Sequence, residues 1–213
     1  MKLLPHSRFG KLRCVLILSV FVYLVAAYRP DRLVSYHLSA KAEGDILMQS
    51  LPRGELVDAI EGISQSEWSH CGILVRHNGE WHVAEAIGEV RYTPLHLWLM
   101  RGRRFKVVAF RVNQLAPNAP EALKTGMRKL LGVPYDFRYA PDDAEIYCSE
   151  LVNKLYAREL GITVGAWERL EDLNWKPSES FIRYMESGQL PLDRMMITPV
   201  ALTRSPNVTG VFP

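Results

Sequence analysis

Cys148 stands in the run Glu145-Ile146-Tyr147-Cys148-Ser149-Glu150-Leu151-Val152, where apolar residues begin to recur at helical spacing: Leu151, Val152, Leu155, Tyr156 and Leu160. That periodicity puts the thiol at or just before the first turn of a helix. Unpaired N–H groups and the positive end of the helix dipole favour a thiolate there. The thiolate is the nucleophilic form of cysteine, so a cysteine hydrolase would carry its nucleophile at such a place. Taken alone, a cysteine before a helix is more often a small buried apolar residue. The segment upstream changes that balance.

Asn78-Gly79 lies between two apolar-rich runs and marks a hairpin over Ser69 to Ile87. Counting outward from the turn, His77 faces Glu80, Arg76 faces Trp81, Gly72 faces Glu85 and His70 faces Ile87. His70, Gly72, Glu85 and Ile87 therefore share one sheet face. His70 and Glu85 are diagonal neighbours, and Gly72 leaves room for the imidazole to lean toward the carboxylate. A base and the carboxylate that orients it follow from this register. A surface ion pair would look the same in isolation; beside a helix-start cysteine, the catalytic reading is the stronger.

Those residues need a scaffold, and the 213 residues with 48% hydrophobic content suffice for one domain with a core. The net charge of +3 is misleading. Lys2, Arg8, Lys11 and Arg13 lie in residues 1–27 without an acid. Removing those four from 26 basic residues leaves 22 against 23 acidic ones, a net of −1. No basic patch is left for nucleic acid. Residues 1–27 are expected to be a signal peptide or signal anchor, with a basic start and an uncharged run from Cys14 to Ala27. The run is short for a membrane span, which needs about 20 residues, and suits cleavage after Ala27. Export to the periplasm, free or anchored at the inner membrane through this segment, is the expectation. Two cysteines follow the leader, and an oxidising compartment raises the prospect of a Cys71–Cys148 disulfide. Strand alternation argues against it: if His70 faces Cys148, Cys71 faces away into the core.

Residues 28–43 read as a linker or arm, and residues 44–213 as the domain. Gly44 to Met48 reads as a strand behind a turn, and residues 53–64 as a helix with Leu56, Val57, Ile60 and Ile63 on one face. Thr93-Pro94 signals a helix over Leu95 to Met100. A strand is expected over Phe105 to Val112 and a helix up to Leu131, ended by Gly132. The Cys148 helix should end near Gly161. A short helix capped by Ser178 follows, then a proline-punctuated tail over the surface from Pro191. The fold class is α+β, an antiparallel sheet with helices packed on it.

Six pieces in order, Gly44-Asp45-Ile46-Leu47, Trp68-Ser69-His70-Cys71-Gly72-Ile73, Glu85-Ala86, Tyr92-Thr93-Pro94-Leu95, Gly132-Val133-Pro134-Tyr135-Asp136-Phe137 and Tyr147-Cys148-Ser149-Glu150-Leu151, resemble the circularly permuted papain-like amidases of the YiiX/YaeF type, within the NlpC-like cysteine hydrolases. The resemblance implies a papain-like core in which the histidine hairpin precedes the nucleophile helix. It implies Cys148 as nucleophile, His70 as base, Glu85 as orienting residue and Tyr135 at the substrate site. By its own context after Gly132-Val133-Pro134, Tyr135 is equally a core tyrosine with one hydrogen bond.

The remaining candidates carry less. Asp45 is expected to satisfy turn backbone groups, His82 to be structural on the opposite face, His77 to be solvated and His96 to lack a partner. No histidine–cysteine spacing suits zinc, and no metal or other cofactor is expected. The leading expectation is a cysteine hydrolase acting on an amide or ester of a small molecule, peptide or acyl lipid through a thioester. A lipid acyltransferase with the same triad, or a catalytically idle envelope binding domain, are the alternatives.

Overall fold

The computed structural model describes residues 15–20, 22–23, 35–36, 39–140 and 142–212. The expected cleavage point at Ala27 and most of the leader lie outside the described residues. Residues 15–20 and 22–23 are helical and exposed. Among the described residues, no helix is long and apolar enough to cross a membrane.

Six strands form one antiparallel sheet: β1 (Ile46–Gln49), β2 (His70–His77), β3 (Glu80–Ile87), β4 (Glu89–Pro94), β5 (Val107–Val112) and β8 (Val208–Phe212), in the order β4-β3-β2-β1-β5-β8. β6 (Glu168–Arg169) and β7 (Met195–Met196) make a small separate pair. The helices are α1 (Glu55–Ser64), α2 (Leu95–Arg101), α3 (Ala119–Leu130), α4 (Cys148–Leu160), α5 (Glu179–Met185) and α6 (Pro199–Thr203).

Alternation along the strands sorts side chains onto two faces. Ile46, Met48, Cys71, Ile73, Val75, Ala84 and Ala86 turn to one face and pack against Leu151, Val152 and Leu155 of α4 and Leu123 and Met127 of α3. Leu47, Leu74 and Val83 turn to the other and meet Leu95, Trp98 and Leu99 of α2. Tyr36, from the segment read as an arm, is buried in this second cluster edge-on to Phe212. Because both faces are covered, all four residues of β1 are buried. A third cluster joins α1 to α5 through Ala59, Ile63, Leu170, Ile182 and Met196.

The β2–β3 hairpin has the expected register, with His77 opposite Glu80, Arg76 opposite Trp81 and Ile73 opposite Ala84. Its turn holds Asn78 at φ 51° and Gly79 at φ 82°, the two positive angles that a tight hairpin turn demands. α4 ends at Gly161, whose φ of 67° lets its N–H return to the Ala157 carbonyl at 3.1 Å.

α2 begins at Leu95 directly behind Thr93-Pro94, as expected. Two local expectations are corrected. Ser178 precedes α5 but makes no side-chain cap. The tail is structural: Ile197, Ala201 and Leu202 are buried against α4, and Val208–Phe212 closes the sheet edge beside β5.

Candidate active site

α4 begins at Cys148, which is 2% exposed, with Tyr147 in extended conformation just before it. The Glu150 carboxylate accepts the Tyr147 N–H at 3.3 Å, and the Ser149 hydroxyl donates to the Ile197 carbonyl at 2.7 Å. The helix start is thereby tied to the loop before α6.

On β2 and β3, His70 Nε2 lies 2.5 Å from Glu85 Oε2, with both residues buried. The hairpin register accounts for this diagonal pair. Thr93 Oγ1 donates to Glu85 Oε1 at 2.5 Å, and Arg101 Nη2 donates to Oε2. Trp98 packs beside the imidazole, ring centroids 6.3 Å apart. With Nε2 engaged by Glu85, Nδ1 is the ring nitrogen left for the Cys148 thiol, to which His70 is hydrogen-bonded.

Cys71 and His70 reach Cys148 from opposite sheet faces, so Cys71 does not face away from the thiol as expected. In β2, Leu74 gives its N–H to Asp45 next to β1, and alternation sends the N–H groups of Cys71 and Ile73 toward β3. The β2–β3 register runs from His77–Glu80 to Ile73–Ala84. The Cys71 thiol and the Cys71 backbone N–H both act as donors to the sulfur of Cys148. Both cysteines are free thiols. Gly72 also differs from expectation: a Cβ there would stand 2.5 Å from Val83 Cγ1 and 2.8 Å from the Ala84 carbonyl, so β3 itself fills the space.

The electrostatics follow from these contacts. The bond from the Cys71 thiol, with the bond and charge of His70, outweighs burial and holds the Cys148 thiol well below its ordinary value. Burial would lower the His70 value, yet Cys148 and Glu85 together push it up to about 9. Burial would raise Glu85, yet His70 and Arg101 hold it at about 2. These contacts favour the charged forms of Cys148, His70 and Glu85.

Tyr135 is buried beside this group, held by its N–H to the Gly88 carbonyl at 2.9 Å. Its hydroxyl lies 3.4 Å from that of Tyr139, whose ring packs on Tyr147 with centroids 4.4 Å apart. Burial raises both tyrosines, and the Cys148 charge adds to it. Tyr139 also adopts a left-handed backbone at φ 56°, a conformation that a bulky residue keeps only when its surroundings hold it there.

Thr93, Arg101, Tyr139 and the orientation of Cys71 escaped the sequence reading. A signal existed for Thr93: Gly88 centres a second hairpin that sets Thr93 opposite Val83 and Glu85 opposite Arg91, making Thr93 diagonal to Glu85. Arg101 had none, because α2 alone brings it back. Elsewhere, Asp45 accepts the Ala42 N–H at 2.8 Å, as expected, and also pairs with Arg111 at 2.7 Å. His77 stacks on Tyr92 and meets His82 edge-on.

A helix that presents a buried cysteine at its first residue, packed on an antiparallel sheet whose earlier strands hold a His–Glu pair, is a permuted papain-like α+β domain. The chain belongs to the permuted papain-like amidase family YaeF/YiiX, C92, which it matches over residues 40–212. It is 33% identical over 201 residues to the uncharacterized protein YiiX of Escherichia coli K12, covering 92% of this chain and 94% of that one. The crystal structure of the metalloprotein yiiX from Escherichia coli O157:H7 is similar with a TM-score of 0.76 and 33% identity, over 80% of this chain and 98% of that one. Among the described residues of this chain, no three His, Cys, Asp or Glu side chains are grouped as metal ligands would be. His70 Nε2, one ring nitrogen that a metal would use, is engaged by Glu85.

Proposed function

We propose that the protein is an exported cysteine amidase that cleaves its substrate by acyl transfer through Cys148, His70 and Glu85. The observation that carries the reading is a free, buried thiol at the first residue of α4, hydrogen-bonded to a histidine whose far nitrogen lies 2.5 Å from a carboxylate. Amidase chemistry belongs to the family; the residues and the thioester are this reading's own.

Cys148 gives its proton to His70 before substrate arrives, and burial of the resulting ion pair is offset by Glu85 and Cys71. The thiolate attacks the carbonyl carbon, and the oxyanion forms near the first-turn N–H groups of α4, which have no partner within the helix. His70 returns its proton to the leaving amine as the C–N bond breaks, leaving a thioester on Cys148. Water, deprotonated by His70, then releases the acid and restores the thiol. Glu85 keeps the imidazole in one orientation throughout, and Thr93 and Arg101 hold Glu85. Tyr135 lines the acyl side of the thiol, its hydroxyl beside that of Tyr139.

Residues 1–27 would deliver the domain to the periplasm, cleaved or retained as an anchor, with a small-molecule, peptide or acyl-lipid substrate. The experiment is intact-mass detection of an acyl adduct after mixing with an activated ester. The adduct should be absent in Cys148→Ala and slow in His70→Ala. An adduct that forms equally in Cys148→Ala would refute the assignment.

A further inference from the structure

Cys71 is a second free thiol in the site, and the acyl-transfer cycle asks nothing covalent of it. It is fully buried in β2, beside the nearly buried Cys148 at the start of α4. Both belong to the packed cluster between the sheet and α4. The Cys71 thiol and the Cys71 backbone N–H each donate to the Cys148 sulfur. Because a main-chain group reaches that sulfur, the strand itself lies against Cys148. Closing the two sulfurs to the bond length of about 2 Å then calls for side-chain rotation and no shift of β2.

Hydrogen bonding alone does not account for a thiol at this position. A thiol is a weak donor, and a serine hydroxyl of similar size would donate better. What sulfur adds is its chemistry with a second sulfur. The Cys71 thiol and His70 hold Cys148 toward its thiolate, the reactive form, whereas burial keeps the proton on Cys71. A reactive thiolate beside a protonated thiol is the arrangement that captures a sulfenic acid as a disulfide before it gains a second oxygen.

Access selects the oxidant. Tyr135 and Tyr139 stand beside both sulfurs. Burial of this degree shuts out a protein thiol–disulfide catalyst, which must bring its own sulfur onto one of the two. A small hydroperoxide has no such requirement.

We propose that Cys148 is a site of oxidation by hydroperoxides and that Cys71 is its resolving residue, so that the nucleophile is stored as a Cys71–Cys148 disulfide and recovered by a small thiol. In the first step the Cys148 thiolate attacks the hydroxyl oxygen of the peroxide. The O–O bond breaks, the sulfur is oxidised by two electrons to a sulfenic acid, and the leaving alkoxide or hydroxide takes the proton of the His70 imidazolium. In the second step the Cys71 sulfur displaces the hydroxyl from the Cys148 sulfur. The S–S bond forms, and the Cys71 proton leaves with that hydroxyl as water. Two equivalents of a small thiol then reduce the disulfide, returning one proton to each sulfur and becoming a disulfide themselves. The proposal stands on the two thiols and is independent of acyl transfer.

The test exposes the reduced full-length protein to hydrogen peroxide, blocks the remaining thiols with iodoacetamide and maps the peptides by mass without reduction. Wild type should lose two hydrogens and join the Cys71 and Cys148 peptides, and dithiothreitol should return alkylation of Cys148 to its starting extent. Cys71→Ser and Cys71→Ala, each compared with its own unoxidised sample, should instead gain two or three oxygens on Cys148 that dithiothreitol does not remove. Circular dichroism on both variants verifies the fold, so one misfolded protein does not decide the matter. Sulfinic acid on wild-type Cys148 with no joined peptide would overturn the proposal. So would recovery by dithiothreitol that is equal in wild type and both variants, or a Cys148 that stays fully open to alkylation throughout. A disulfide from either cysteine to Cys14 in preference to the other would overturn it as well. Acyl adducts do not enter the measurement, so failure of the acyl-transfer reading would leave this result standing.

Discussion

Glu85→Gln isolates the charge of the orienting residue while keeping its shape. Glu85 is fully buried and accepts from His70, Arg101 and Thr93. Arg101 can only donate, so the glutamine carbonyl must take the Oε2 position facing Arg101 and His70. Its amide then faces Thr93, whose hydroxyl can turn to accept. The imidazole keeps its acceptor and loses its counter-charge. Losing the Glu85 charge lowers His70 from about 9 while the contribution of Cys148 remains, so the imidazolium fraction at about pH 8 falls from about 0.9 but stays above the about 0.03 of an ordinary 6.5. Acylation should slow at that pH, by less than about thirtyfold. At about pH 6 both proteins are mostly protonated at His70, and the difference should be under about twofold. The assay is single-turnover acylation across this range, with circular dichroism to verify the fold. Wild-type acylation by Glu85→Gln at the higher pH, or a loss of equal size at both, would refute the role given to Glu85.

The other predictions concern the same contacts. Cys148→Ala should abolish turnover with the fold intact; Cys71→Ala should retain acylation but move the alkylation pKa of Cys148 upward, since a hydrogen bond to the thiolate is lost. An unmoved alkylation profile would show that the thiol contact is idle. Thr93→Val should cost about 1.5–3 kcal/mol in chemical denaturation, because a buried bond to a charged group is removed; a loss below about 0.5 kcal/mol would contradict that contact. Glu85 is depressed from 4.5 to about 2, so its stabilisation is complete above the higher value and is lost as pH falls toward the lower. His70 is raised from 6.5 to about 9, so its share is complete below 6.5 and is lost as pH rises through 9. Stability measured against pH should fall on both sides, and Glu85→Gln should flatten the acid side.

What the sequence determined by itself is what short-range geometry governs. Side chains alternate along a strand because the backbone is pleated, so Asn78-Gly79 was enough to set His70 and Glu85 on one face. Apolar residues recur at 3.6 in a helix, so Leu151, Val152, Leu155 and Tyr156 were enough to put Cys148 at its start. Val208 to Phe212 is recognisable as an edge strand only once β5 is there to pair with it. The tertiary structure decided the rest, because those contacts depend on where chain segments meet. Alternation turned the Cys71 side chain away from that of His70, yet both act on the Cys148 thiol once α4 is packed on the sheet. Arg101 is 16 residues from Glu85 and meets it only because α2 folds back across the sheet. Tyr139 meets the Tyr135 hydroxyl and the Tyr147 ring only in the folded chain, and no spacing along the chain encodes a meeting of that kind.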